Sequence, residues 1–210
     1  MEETMKALIS RQVEAKIGYM KNLGESEAKA LLAKLRRGVC RAPGDVPELW
    51  GIIFDDLPEK LQENGETPGK KEWALYIALT MFALHQQGRD IKNEEEFMYK
   101  EELPLGKAVA ILAVRRKSPT EQYSEAVLRR FNAMATAADI NEFAWHLKGI
   151  ITLLRTEGIA LDYPDLAYKL YLYQDESKRA DVRLELGRAF YKGISKIKNE
   201  SEKEEEAYEN

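Results

Sequence analysis

Residues Trp73 to Leu84 form an apolar run interrupted only by Thr80. At helical spacing this run is hydrophobic around most of its circumference, and such a helix is stable in water only when other elements cover it on all sides. The chain therefore has to place residues 70–87 at the centre of a bundle. The run is also too short to cross a bilayer, which takes about 20 apolar residues. The opening Met1-Glu-Glu-Thr4 lacks the basic-then-apolar character of a secretory leader. The expectation is a cytoplasmic protein with no membrane partner.

The rest of the chain reads as helices able to do the covering. Met5, Leu8, Ile9, Val13, Ile17 and Met20 recur at three and four residues, which predicts one helix, and Ser26 starts a second that runs through about Arg37. Pro43, Gly44 and Pro47 make 41–50 a turn, and a third helix is expected from Trp50 into Glu63. Pro104 starts a helix to about Arg116. Ser118-Pro119-Thr120-Glu121 has the form of a capping box with proline at the first helical position, which predicts a helix from there towards Ala138. Asp139 and Glu142 repeat the device for a helix from Ile140 to about Thr156. On it Phe143, Leu147, Ile150 and Leu154 form the core stripe, and Trp145, Lys148, Thr152 and Arg155 lie opposite. Pro164 opens another helix, and a last one runs from about Asp175 to Lys198. No alternating apolar-polar run bounded by turn residues asks for a strand. The predicted fold is all-α, a two-lobed helical bundle. An N-terminal lobe covers 1–88, an acidic connector 89–103, a C-terminal lobe 104–199, and a disordered acidic tail 200–210.

Most catalytic chemistry fails on composition. The single cysteine, Cys40, excludes an internal disulfide, and with only His85 and His146 beside it no four-ligand zinc site can form. The segment from Gly65 to Lys71 has the wrong glycine spacing for a phosphate loop and lacks the Ser or Thr that would bind the metal. Asp55-Asp56, Glu94-Glu95-Glu96 and Asp162/Asp165 are adjacent or surface-type acids rather than carboxylates converging from several elements, as a metal nuclease requires. Cys40 reads as a small packing side chain, and His85 as a core histidine bonded to a carbonyl. No catalytic residue, metal or cofactor is expected.

Charge is segregated instead. Glu200 to Asn210 holds six Glu against Lys203, which accounts for the formal net charge of −4 and leaves the body of the chain close to neutral. Ala28 to Arg41 carries Lys29, Lys34, Arg36, Arg37 and Arg41 with no acid, whereas Lys92 to Glu102 carries five Glu against two Lys. Further cations cluster at Arg115, Arg116 and Lys117 and at Arg129/Arg130. A basic residue in a last helical turn is accounted for by the helix dipole. Repetition in several elements is the pattern of a phosphate-contacting surface, since the arginine fork grips two phosphate oxygens at once. Arg130 falls at the angle of Val127 and Met134 and is expected to be partly buried and paired with an acid. The candidate nucleic-acid contacts are Arg36, Arg37, Arg41, Arg115, Arg116, Lys117, Arg129, Lys148 and Arg155. Trp145 is placed either to stack on a base or to bury against a protein partner.

Several strings carry a resemblance in order along the chain: Leu31 to Trp50 (LLAKLRRGVCRAPGDVPELW), Leu84-His85-Gln86-Gln87-Gly88, Gly106 to Leu112, Leu128-Arg129-Arg130-Phe131, His146-Leu147-Lys148 and Leu161-Asp162-Tyr163. Together they resemble the CasB family, the small subunits of the type I-E CRISPR Cascade complex. Lys148 stands where that family usually has arginine, Lys169 where it has an acid, and Tyr173 and Leu186 where it has tryptophan. The resemblance implies an all-helical, two-lobed, non-catalytic subunit, present as a pair. Its partners would be the repeated backbone subunits, the large subunit and crRNA-bound target DNA, including the displaced single strand. Two alternatives stand beside it: a pure protein scaffold without direct DNA contact, and a free-standing nucleic-acid-processing enzyme.

Overall fold

The computed structural model describes residues 4–63 and 65–209, with side chains described through Glu200 and at Lys203. Its helices are α1 (Met5–Asn22), α2 (Glu25–Arg36), α3 (Trp50–Ile53), α4 (Lys70–His85), α5 (Leu105–Arg115), α6 (Glu125–Ala135), α7 (Ile140–Glu157), α8 (Tyr163–Tyr173) and α9 (Glu176–Glu209). Among the described residues there is no strand, only an isolated parallel bridge between Tyr99 and Leu161. No described helix is long and apolar enough to cross a membrane.

Helix α4 is central, as its composition demands. Every residue from Ala74 to Ala83 is buried, and α1, α2, α7 and α8 pack around it. Thr80 is tolerated inside because its hydroxyl donates to the Tyr76 carbonyl at 2.8 Å, leaving no buried donor unmet. Helix α8 lies across α1 and α4, so the second half of the chain returns to cover the first. The α5–α9 pair is the most extensive contact. It is close because Gly106 and Gly193 face it: a Cβ at Gly106 would lie 2.5 Å from the Leu186 carbonyl oxygen, and one at Gly193 2.8 Å from the Ala110 Cβ.

Local capping largely follows the sequence. Asp139 accepts from the Glu142 N–H at 2.8 Å and Glu142 accepts from the Ala138 N–H at 2.6 Å, closing the start of α7. Gly158, at φ +63°, ends α7 in the left-handed region. Asp162 accepts from the Asp165 N–H at the start of α8. Tyr173 is fully buried and donates to the Ala137 carbonyl at 2.6 Å.

Four expectations are corrected. The capping box at Ser118 forms, with Glu121 accepting from the Ser118 N–H and hydroxyl, but α6 begins only at Glu125. Residues 118–122 are all polar or proline and have no apolar face to bury, so they turn without propagating a helix. The helix expected from Trp50 to Glu63 stops at Ile53, because Asp56 takes a left-handed φ of +56° and Pro58 follows. Arg130 is exposed, its long side chain leaving the Val127–Met134 face for solvent. The backbone of α9 continues through Glu209 instead of ending near Lys198, since residues 196–209 are rich in helix-forming Lys and Glu and are tied by pairs such as Lys196–Glu200 at 3.6 Å. Asn210 lies outside the described residues.

The stretch from Gly88 to Leu103 is irregular but pinned. The Gln86 amide donates to the Glu96 carbonyl and accepts from the Met98 N–H. Backbone bonds join Leu161 to Met98 and Lys100, and Asp162 to Leu103.

Candidate nucleic-acid interface

The outer face of α7 carries the site. Its core stripe Phe143, Leu147, Ile150 and Leu154 is buried, which forces residues at the opposite helical angle outward. Trp145 is 65% exposed, Lys148 is exposed and Arg155 half-buried. From Trp145 to Arg155 the face is about 15 Å long.

Tertiary packing adds cations to this face from remote parts of the chain. Arg36, in the last turn of α2, is half-buried, and its pKa is lowered by burial and by the neighbouring charge of Arg155. An anion beside these two like charges would relieve their repulsion and the cost of burying Arg36. Arg155 is steered by neutral acceptors only: its Nη1 donates to Gln87 Oε1 at 2.6 Å. Arg89 donates to the Arg155 carbonyl at 2.8 Å, placing a further guanidinium under the last turn of α7. The turn after α2 is tied to α7 where the Cys40 thiol meets the Ala144 carbonyl at 3.7 Å. Burial pushes the Cys40 thiol up while the charge of Lys148 pulls it down. Arg41, on the same turn, is exposed. Among the described residues none of Arg36, Arg41, Lys148 and Arg155 is engaged by a carboxylate.

The remaining candidates are distributed differently. Arg37 points away and is bound by Glu48 at 2.9 Å. Arg115 donates to the Glu157 carbonyl at 2.7 Å, and Arg116 to the Glu157 carboxylate at 2.8 Å and the Thr156 hydroxyl at 3.1 Å. These two arginines close the C-terminus of α7. Lys117 is exposed beyond them. Arg129 is exposed on α6, near enough to Glu121 to hold its carboxyl down after the Ser118 hydrogen bonds have done so. The structure thus sets Arg36 with Arg155, and Lys148 with the Cys40–Arg41 turn, along one face of α7, and leaves Arg37, Arg115, Arg116, Lys117 and Arg129 outside that face. Sequence reading missed Arg89. Its only signal was its place directly after Gly88, where a chain leaving α4 has to turn.

Among the described residues no three His, Cys, Asp or Glu side chains converge as a metal site. His85 is fully buried. The Tyr163 hydroxyl lies 2.9 Å from His85 Nδ1 and 3.3 Å from the Met81 carbonyl oxygen. Burial, with Arg89 beside it, lowers the His85 pKa to about 3. Tyr163 is thus a partner of His85 beside the backbone hydrogen bond at Ile159.

Residues 31–191 match the family model of CRISPR-associated protein Cse2. The chain belongs to the Cse2 family. The matched segment includes Arg36, Arg41, Lys148 and Arg155 and every helix from α3 to α8. Among solved structures, CasB from Thermobifida fusca is 28% identical, with a TM-score of 0.69 over 87% of this chain and 97% of that one. CasB from M. ruber is 22% identical, with a TM-score of 0.66 over 90% and 98%. A chain of a CRISPR RNA-guided surveillance complex is 19% identical, with a TM-score of 0.66 over 92% and 99%. The last two establish likeness of fold. No curated protein sequence matches this chain.

Proposed function

We propose that this Cse2-family chain is the non-catalytic small subunit of a cytoplasmic type I-E Cascade complex, paired with a second copy and seated on the repeated backbone subunits. There it stabilises target DNA opened against the crRNA by holding phosphates of a single strand. The observation that carries this reading is the unneutralised group Arg36, Arg41, Lys148 and Arg155 along one face of α7. Exchanging a DNA duplex for an RNA–DNA duplex is nearly balanced, so a few phosphate contacts present only in the opened state can tip it. Such contacts need cations on a rigid frame and no base-reading code, because the guide reads sequence.

The test reverses charge at Arg36, Arg41, Lys148 and Arg155 together and measures dissociation of opened target DNA from purified complexes of equal subunit composition. Four contacts of roughly 0.5–1 kcal/mol each correspond to reclosure faster by about thirtyfold to a thousandfold at low salt. The isolated chain should bind single strands with a log–log salt slope of about −3, from about 0.7 counterion per phosphate. An unchanged dissociation rate in complexes that assemble normally would favour the scaffold reading. Turnover of nucleic acid by the isolated chain with magnesium or manganese would favour an enzyme.

A further inference from the structure

At the N-terminal end of the same α7 face, Trp145 stands at the mouth of a cavity of about 220 Å³ between the turn after α2, helix α4 and α7. Pockets for drug-sized molecules span about 300–1,000 Å³, so this one accommodates a single ring system. Its walls include Trp73 and Tyr76 of α4 and Gly38, Cys40 and Arg41 of the turn. Three features separate it from a packing defect. Trp145 leaves most of a large apolar ring in water, although tryptophan is ordinarily among the more covered side chains. Tyr76 is 1% exposed, yet its hydroxyl has no hydrogen-bond partner among the described residues, a situation that native structures rarely leave unmet. Cys40 sits at a left-handed φ of +59°, a strained geometry for a residue with a Cβ. In this conformation the Cys40 thiol meets the Ala144 carbonyl of α7 and Arg41 lines the cavity.

Arg41 puts a cation in the wall beside the aromatic rings of Trp73, Tyr76 and Trp145. An apolar protein side chain would fill the interior and leave Arg41 unanswered, whereas a nucleotide satisfies both. We propose that this cavity is a base pocket: one base, splayed out of the single strand that runs along α7, stacks on Trp145 with its edge towards Tyr76, and its flanking phosphate lies on Arg41. Stacking of this kind is indifferent to which base is presented, as a guide-read complex requires. The inference rests on the proposal that the α7 face meets single-stranded DNA, and it adds that the face holds a base as well as phosphates.

The test compares the full chain's affinity for oligothymidylate with that for a strand of equal length built from abasic residues, which has the same phosphates and no bases. The wild type should prefer the thymidylate by about tenfold or more. Trp145→Ala, at an exposed position, should abolish that preference and leave abasic-strand binding and its salt slope intact. Tyr76→Phe, which keeps the ring, should reduce the preference by a few fold. Thymidylate should also slow alkylation of Cys40, the only cysteine, more than the abasic strand does. Equal wild-type affinity for the two strands, or equal losses on both in Trp145→Ala, overturns the pocket and leaves the phosphate reading standing. Absence of binding to either strand at low salt overturns both. If Trp145→Ala impairs incorporation into the complex with strand affinities unchanged, the pocket docks protein and the proposal is wrong.

Discussion

Lys169 tests whether the α8–α9 joint is understood. Its side chain is almost fully buried, and its ammonium lies 2.6 Å from Asp165 and 3.0 Å from Glu185. Burial alone would pull its pKa down, but the two carboxylates more than offset that and the net direction is up, so the group is charged at neutral pH. A raised lysine pKa adds stability that is complete below the unfolded value and is lost only as strongly alkaline pH passes the folded one. In Lys169→Met the methylenes are replaced and the charge is not. Glu185, 59% exposed, remains hydrated, while Asp165, at 18%, is stranded. Removing one partner of a buried pair costs about 3–5 kcal/mol. With one of the two carboxylates in solvent, the lower end, about 3 kcal/mol, is expected, equivalent to a fall in melting temperature of about 6–12 °C for a chain of this size. Glu185→Gln, acting on the exposed partner, should cost less than about 1 kcal/mol. Asp165→Asn/Lys169→Met leaves no stranded charge and should recover most of the loss. Denaturant unfolding at constant m-value reads all three. The account fails if Lys169→Met falls within about 1 kcal/mol of wild type, or if the double variant is no more stable than the single.

Two further predictions concern the core. His85 is held neutral, with a pKa of about 3 against an unfolded value of 6.5, so its stabilisation is complete above pH 6.5 and shrinks as pH falls towards 3. At pH 4.5 the loss should be about 3 kcal/mol, and comparing unfolding free energies of wild type and His85→Gln between pH 4.5 and 7.5 should show that slope only in the wild type. Gly106→Ala would drive a Cβ to 2.5 Å from the Leu186 carbonyl oxygen, a backbone atom that cannot swing aside. It should cost about 2–3 kcal/mol by parting α5 from α9, whereas Gly187→Ala, with nothing within 4 Å, should gain up to about 1 kcal/mol.

Much of the architecture is legible without coordinates because its causes act within one or two helical turns. The circumference of α4 dictates a central helix, the Asp139–Glu142 reciprocal cap starts α7, and the spacing of Phe143, Leu147, Ile150 and Leu154 settles which face of α7 turns out. The same local logic misleads at Ser118, where the cap is real but no apolar side chains follow for a helix to bury. It misleads again at Arg130, where helical angle alone does not say how far a neighbouring element reaches.

Which cations act together is a different kind of quantity. The sequence alone determines that Arg36, Arg37, Arg115, Arg116 and Arg155 sit near helix ends, and that Trp145 shares a face with Lys148. Only the tertiary structure sets Arg36 against Arg155 and gives Arg37 to Glu48 and Arg116 to Glu157. Charges combine through space over a few ångströms, and that distance is set by how α2, α4 and α7 pack, not by separation along the chain.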